Sequence, residues 1–149
     1  MKVYLNYGPH PFVLSHEALE LMGRPRYVTF LLNQEDRNIT IVPMKSHRSD
    51  IGMCRIYDGV YQSGGAYAVD GSWEFLNVVR SMAGIDEPSL CSVEAEMMIM
   101  DELKAGQCGL KKGIKVKGPC LFLDLGKARL DFMEEYPVYT YGGYQVCAG

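Results

Sequence analysis

The sequence predicts an α+β protein with a mostly antiparallel sheet and two or three short helices. Short stretches alternate apolar and polar side chains as strands do, glycine and proline turns separate them, and two stretches carry helical apolar spacing behind a capping residue. At 149 residues and 48% hydrophobic content, the chain can bury one sizeable core. We expect two units that share this core, residues 1–44 and 51–149, divided by the polar stretch 45–50.

The first unit is predicted to run from strand to helix to hairpin. Ser15 is placed as an N-cap, and Gly23 ends the helix because glycine accepts the left-handed conformation. Residues 27–32 are β-branched, aromatic and apolar on both faces, which predicts a central strand. After the polar turn 33–38, residues 39–42 return as its hairpin partner, closed by a proline.

The second unit is predicted to open with strands 53–61 and 66–69. Asp70 or Ser72 then caps a helix whose apolar side chains recur at helical spacing. Gly84 ends that helix.

Residues 92–105 carry two conflicting signals. Val93 and Ala95 alternate with glutamates as in a strand, but the stretch is rich in strong helix formers. Ser92 as N-cap and Gly106 after the stretch favour the helix, and we predict one, with a strand as the alternative.

The remaining predicted elements are strands. Residues 114–117 and 121–125 are short apolar stretches separated by Gly118 and Pro119. The tyrosine-rich tail is expected to form a last strand or an aromatic strap.

The two halves echo one another. Residues 12–14 precede a helix that ends at Gly23, and residues 67–69 precede one that ends at Gly84. If residues 92–105 were a strand, the match would extend to strand, helix and hairpin in both halves. The competing explanation is that capped helices ending in glycine are common.

The order of elements in residues 3–43 resembles the AbrB-like swapped-hairpin family of small bacterial transcription factors and antitoxins. The residues that carry the resemblance are Gly8, Phe12, Val13, Leu14, the helix sequence EALELMG at 17–23, residues 27–32 and residues 39–42. The resemblance implies a homodimer in which strands and hairpins intertwine, and a small cytoplasmic bacterial or mobile-element protein that regulates transcription by binding DNA.

The chain departs from the family where DNA is approached. The family has Gly-Arg before the second strand and Pro-Lys with a further Arg at the helix start, whereas this chain has Pro9-His10-Pro11 and Ser15-His16-Glu17. Because phosphate neutralisation supplies much of the affinity for DNA, this loss favours an alternative. The alternative is a protein-protein interaction or inhibitor module that does not bind DNA.

Basic residues elsewhere form the candidate contacts to a nucleic acid or an acidic partner. With a net charge of −3, such binding must come from a local patch. The competing explanation is that these residues lie on ordinary solvated loops and have no binding role. The candidates are Arg24, Arg26, Arg37, Lys45, Arg48, Lys111, Lys112, Lys115 and Lys117.

No catalytic constellation is apparent, so we do not expect an enzyme or a cofactor. The three histidines have no partner at metal-ligand spacing, and the five cysteines never form a C-x-x-C pair, which predicts reduced thiols and no metal. No apolar run is long enough for a signal peptide core or a membrane span, so we expect a cytoplasmic location and no membrane partner.

Overall fold

The computed structural model describes residues 2–5, 12–49, 52–56, 67–69, 73–84, 91–100, 113–130, 138–141 and 144–147. Its helices are α1 (His16–Leu21), α2 (Trp73–Ala83) and a 3-10 helix (Leu125–Lys127). Its strands are β1 (Lys2–Leu5), β2 (Phe12–Leu14), β3 (Tyr27–Asn33), β4 (Asn38–Met44), β5 (Cys54–Arg55), β6 (Tyr67–Val69), β7 (Cys91–Met98), β8 (Cys120–Asp124), β9 (Arg129–Leu130), β10 (Val138–Tyr141) and β11 (Tyr144–Cys147).

One nine-stranded sheet dominates the fold. Its strands follow the order β5-β3-β4-β8-β7-β1-β2-β6, with β9 beside β7, while β10 and β11 form a separate hairpin. Every pair is antiparallel. The predicted class, an α+β protein with a mostly antiparallel sheet, is therefore confirmed.

Helix α1 begins and ends where the sequence predicts. The Ser15 hydroxyl accepts a hydrogen bond from the Ala18 backbone N–H at 3.2 Å, as an N-cap does. Gly23 follows the helix with φ +86°, in the left-handed region. Ala18 and Leu19 are buried, so this short helix is stabilised by packing on the sheet.

The helix predicted for residues 92–105 is wrong over its first seven residues, which lie in β7. Here Val93 and Ala95 are buried, and Glu94 and Glu96 are exposed, which is the period of a strand. Pairing with neighbouring strands on both sides outweighs the helix propensity of these residues. The rest of the predicted helix, apart from 99–100, lies outside the described residues.

Smaller differences lie at strand ends. Residues 114–117 form a single bridge at Val116 instead of a strand. Pro43 lies within β4, opposite Val28, instead of closing it. The predicted strand 121–125 begins at Cys120, and Leu125 starts the 3-10 helix.

The same order of elements, strand-strand-helix-strand-strand, occurs in both halves. The hairpins β3–β4 and β7–β8 occupy equivalent places in the two halves. The strand pairing between the halves is also reciprocal: each pairing of a first-half strand with a second-half strand has an equivalent with the halves exchanged. Strand β1 pairs with β7 as β5 pairs with β3, while β2 pairs with β6 and β4 with β8. Each half of the chain thus completes its sheet with strands from the other half.

The main core lies between the halves and receives side chains from both. Its largest fully buried members include Leu14, Leu19, Met22, Ile39, Ile41, Leu121 and Leu123. A second, smaller core lies on the other face of β4 and β8, around Val42, Met44 and Cys120. Strand β4 is therefore buried on both faces.

Each helix end is held by a cation from the other half. The Arg37 Nε donates to the carbonyl of Met82 at 2.6 Å, in the last turn of α2. The Lys117 Nζ donates to the carbonyl of Arg24 at 3.1 Å, just after α1. Cations suit these positions because the carboxyl end of a helix carries partial negative charge and unpaired carbonyls.

We predict that Arg37→Met lowers the free energy of unfolding by about 1–2 kcal/mol, because it removes a charge-assisted hydrogen bond to a helix end. Urea denaturation followed by circular dichroism measures this. The control is Lys127→Met, at an exposed position of the 3-10 helix, which we expect to remain within about 0.5 kcal/mol of the parent chain. Equal stabilities of the two variants would contradict the capping role.

Candidate nucleic-acid interface

The second core anchors two stretches outside the regular sheet. Met53, Ile114 and Val116 pack against it, and Val116 forms an antiparallel bridge with Met44. We call residues 113–119 the lysine segment. Apolar packing thereby joins the lysine segment to the end of β4, although about 70 residues separate them in the chain.

The bridge places two lysines opposite one another. The Lys45 N–H donates to the Lys115 carbonyl at 3.3 Å, and the Lys117 N–H donates to the Pro43 carbonyl at 2.9 Å. Lys45 and Lys115 are thus the next cross-strand pair after Met44 and Val116. Both lysines are exposed, whereas Met44 is buried.

Two like charges at directly opposed positions destabilise a strand pair. In the part of the chain that the structure describes, no carboxylate forms an ion pair with Lys45 or Lys115. The stretches 45–48 and 113–119 also contain no acidic residue. Among the described residues, this strand pair therefore concentrates positive charge without an ion-paired carboxylate.

The loop after α1 brings further cations to the same place. The aliphatic part of Lys117 covers Gly23, and its Nζ reaches the carbonyl of Arg24. Arg26, also exposed, accepts a hydrogen bond from the Ile56 N–H through its carbonyl. One carboxylate lies beside these cations: the Glu20 Oε1 is 3.4 Å from the Arg24 Nε.

Residues 45–49 and 52–53, which follow β4, are held on the face of the sheet that carries the second core. The Arg48 N–H donates to the Met53 sulfur at 3.1 Å, and the Thr29 hydroxyl donates to the Gly52 carbonyl at 2.7 Å. The Arg48 guanidinium lies beside Gly113, with Nη1 4.0 Å from the position of a Cβ there. This loop therefore has a defined position next to the lysine segment.

The structure brings most of the predicted contact residues together and separates one of them. We call the assembled group the basic edge; it consists of Arg24, Arg26, Lys45, Arg48, Lys115 and Lys117. Arg37 lies at the opposite end of β4, where it holds α2. Lys111 and Lys112 lie outside the described residues.

Sequence reasoning missed Arg55 as part of this region. Arg55 pairs with Tyr27 across β5 and β3, and Tyr27 pairs with Met44 at the start of the basic edge. No local signal marks Arg55, because its place depends on a strand register between residues far apart in the chain.

A separate open groove of about 540 Å³ lies between the β3–β4 turn and α2. Gln34, Arg37, Asn77 and Ser81 contribute its polar lining. The Arg37 Nε is already bonded to a helix carbonyl, and a helix carboxyl end disfavours anions. The groove is therefore a poorer anion site than the basic edge.

The described residues offer neither a metal site nor a membrane-spanning helix. No group of three or more His, Cys, Asp or Glu side chains is arranged there to hold a metal ion. No described helix has the length and apolarity to span a bilayer.

Comparison with known proteins gives no match: no family model, curated protein or solved structure is significantly similar to the chain.

We predict that Gly118→Ala destabilises the chain by about 1–3 kcal/mol, because overpacking forces a shift of backbone. A Cβ on Gly118 would lie 2.7 Å from the Met22 carbonyl oxygen, where the lysine segment packs on α1. The matched control is Gly52→Ala, because a Cβ on Gly52 meets nothing within 4 Å. Thermal unfolding of both variants measures the difference, and similar midpoints would mean that the lysine segment does not pack on α1.

Proposed function

We propose that the chain is a DNA-binding regulator of the AbrB-like kind that contacts the phosphate backbone through the basic edge. The observation that carries this proposal is the cross-strand pair Lys45 and Lys115, whose backbones are joined by a hydrogen bond. A polyanion laid across the pair relieves the repulsion between the two ammonium groups.

The surroundings of the pair support the same ligand. The Lys117 Nζ reaches the Arg24 carbonyl at one end of the lysine segment, and the Arg48 guanidinium lies beside Gly113 at its other end. A row of cations suits a ligand with regularly spaced negative charges, and arginine adds bidentate bonds to phosphate. Because the chain as a whole has a net charge of −3, attraction is confined to this edge.

The resemblance adds the regulatory role, a cytoplasmic location and a homodimer to the proposal. Strand exchange within one chain supplies the pairing that the resemblance assigns to a second protomer. DNA binding by the basic edge therefore requires one chain only. The homodimer stays a prediction, and light scattering on the purified chain measures it.

We predict that Lys45→Glu/Lys115→Glu weakens DNA binding about 10-fold or more at low salt and lowers the slope of log K against log salt by about 2. Fluorescence anisotropy with a labelled 25-base-pair duplex at several salt concentrations gives both quantities. Lys127→Glu is the matched control, because it reverses an exposed cation at the far end of β8.

A stability measurement separates binding from misfolding. The single variant Lys115→Glu replaces a like-charge pair by an opposite-charge pair, so we expect about 0.2–1 kcal/mol of added stability at low salt. The double variant keeps a like-charge pair and should match the parent chain in stability. The proposal fails if the parent chain does not bind the duplex, or if Lys127→Glu weakens binding as much as the double variant.

The second candidate function is a protein-protein interaction module. Apolar side chains at the end of β7 favour it, because Met97 is 40% exposed and Ile99 is 82% exposed. Isolated apolar exposure is ordinary, but two such side chains close together mark a possible contact.

For this candidate we predict that Ile99→Ser abolishes the capture of a specific protein from native lysate, since it removes the most exposed apolar group. Leu21→Ser is the control, because Leu21 is 41% exposed on α1. Capture of the same proteins by both variants would count against an interface at Ile99.

A further inference from the structure

Two aromatic rings lie beside the basic edge. The rings of Tyr27 and His47 have centroids 5.2 Å apart and an angle of 62° between their planes, an edge-to-face pair. Tyr27 is half-buried against the second core, whereas His47 is exposed. The pair thus combines a ring fixed by packing with a ring that solvent reaches.

Two arginines are neighbours of this pair, one across the strand pair and one along the chain. Tyr27 lies opposite Arg55 on β5 and opposite Met44 on β4, and directly paired residues share one face of a sheet. Arg48 follows His47 in the chain, and its backbone N–H is held by the Met53 sulfur. Arg55 therefore shares a sheet face with Tyr27, and the backbone of Arg48, next to His47, has a fixed position.

The contact between Tyr27 and His47 contributes little to the stability of the core. His47 is exposed, so the ring contributes little apolar burial, and an edge-to-face contact occupies only part of each ring surface. An exposed ring among cations is instead the combination that binds a nucleobase, by stacking on the ring while phosphates contact the cations.

We propose that the Tyr27–His47 pair stacks with an unpaired base, so that single-stranded nucleic acid is the ligand class the site prefers. This inference rests on the proposed function, because the basic edge supplies the contacts to the strand backbone. Bases in an intact duplex are stacked on each other and do not reach a ring on the protein surface, so the rings distinguish the two forms of the ligand.

The test is fluorescence anisotropy of the full chain with a labelled 20-nucleotide DNA strand that lacks self-complementarity, and with the duplex of the same sequence. We expect tighter binding of the single strand, and His47→Ala should weaken that binding about 5-fold or more, within the range for loss of one stacked base. The same variant should change duplex binding by less than about 2-fold, because the lysines remain.

Two further variants identify the role of the ring. His47→Phe keeps a stacking surface without a titratable group, so it should retain single-strand affinity. His16→Ala removes an exposed histidine on α1 and should leave the affinity unchanged.

The inference is overturned if His47→Ala leaves single-strand binding unchanged, if it weakens both ligands equally, or if His47→Phe binds no better than His47→Ala. These results would not overturn the proposed function, provided that the parent chain binds the duplex and that Lys45→Glu/Lys115→Glu weakens this binding. Failure of the parent chain to bind either ligand overturns the proposed function and this inference together.

Discussion

The pairing of β7 with strands from both halves is the constraint on which the rest of the structure depends. Its first four residues pair with β1, and its last four pair with β8. An unpaired buried strand would leave backbone groups without partners, at a cost comparable to a lost hydrogen bond for each. Because β1 belongs to the first half and β8 to the second, neither half completes its sheet alone, and the core forms only when both are present.

This interlocking also determines where charges lie. The connections of the two hairpins must pass the helix ends of the opposite half, so Arg37 reaches Met82 and Lys117 reaches Arg24. The two connections differ in length. The β3–β4 turn is short, whereas the β7–β8 connection is long enough to lay the lysine segment along β4.

Local sequence signals predicted the elements whose causes are local. Ser15 and Gly23 mark α1 through capping and backbone conformation, and both act as expected. In 92–98 the period-two alternation was the better signal, and helix propensity misled because strand pairing decides the conformation of such residues. The meeting of Lys45 with Lys115 could not be predicted, because it follows from a bridge between distant residues and not from any short pattern.

The stretch from Phe12 to Pro43 acts mainly as scaffold in this chain. Its strands and helix contribute side chains to the main core. The charges of the basic edge lie outside its strands and helix, in the loop after α1, the loop after β4 and the lysine segment. An opposite-charge pair at positions 45 and 115 would stabilise the fold more than two opposed lysines do. The presence of two lysines there is therefore better explained by the proposed anionic ligand than by stability.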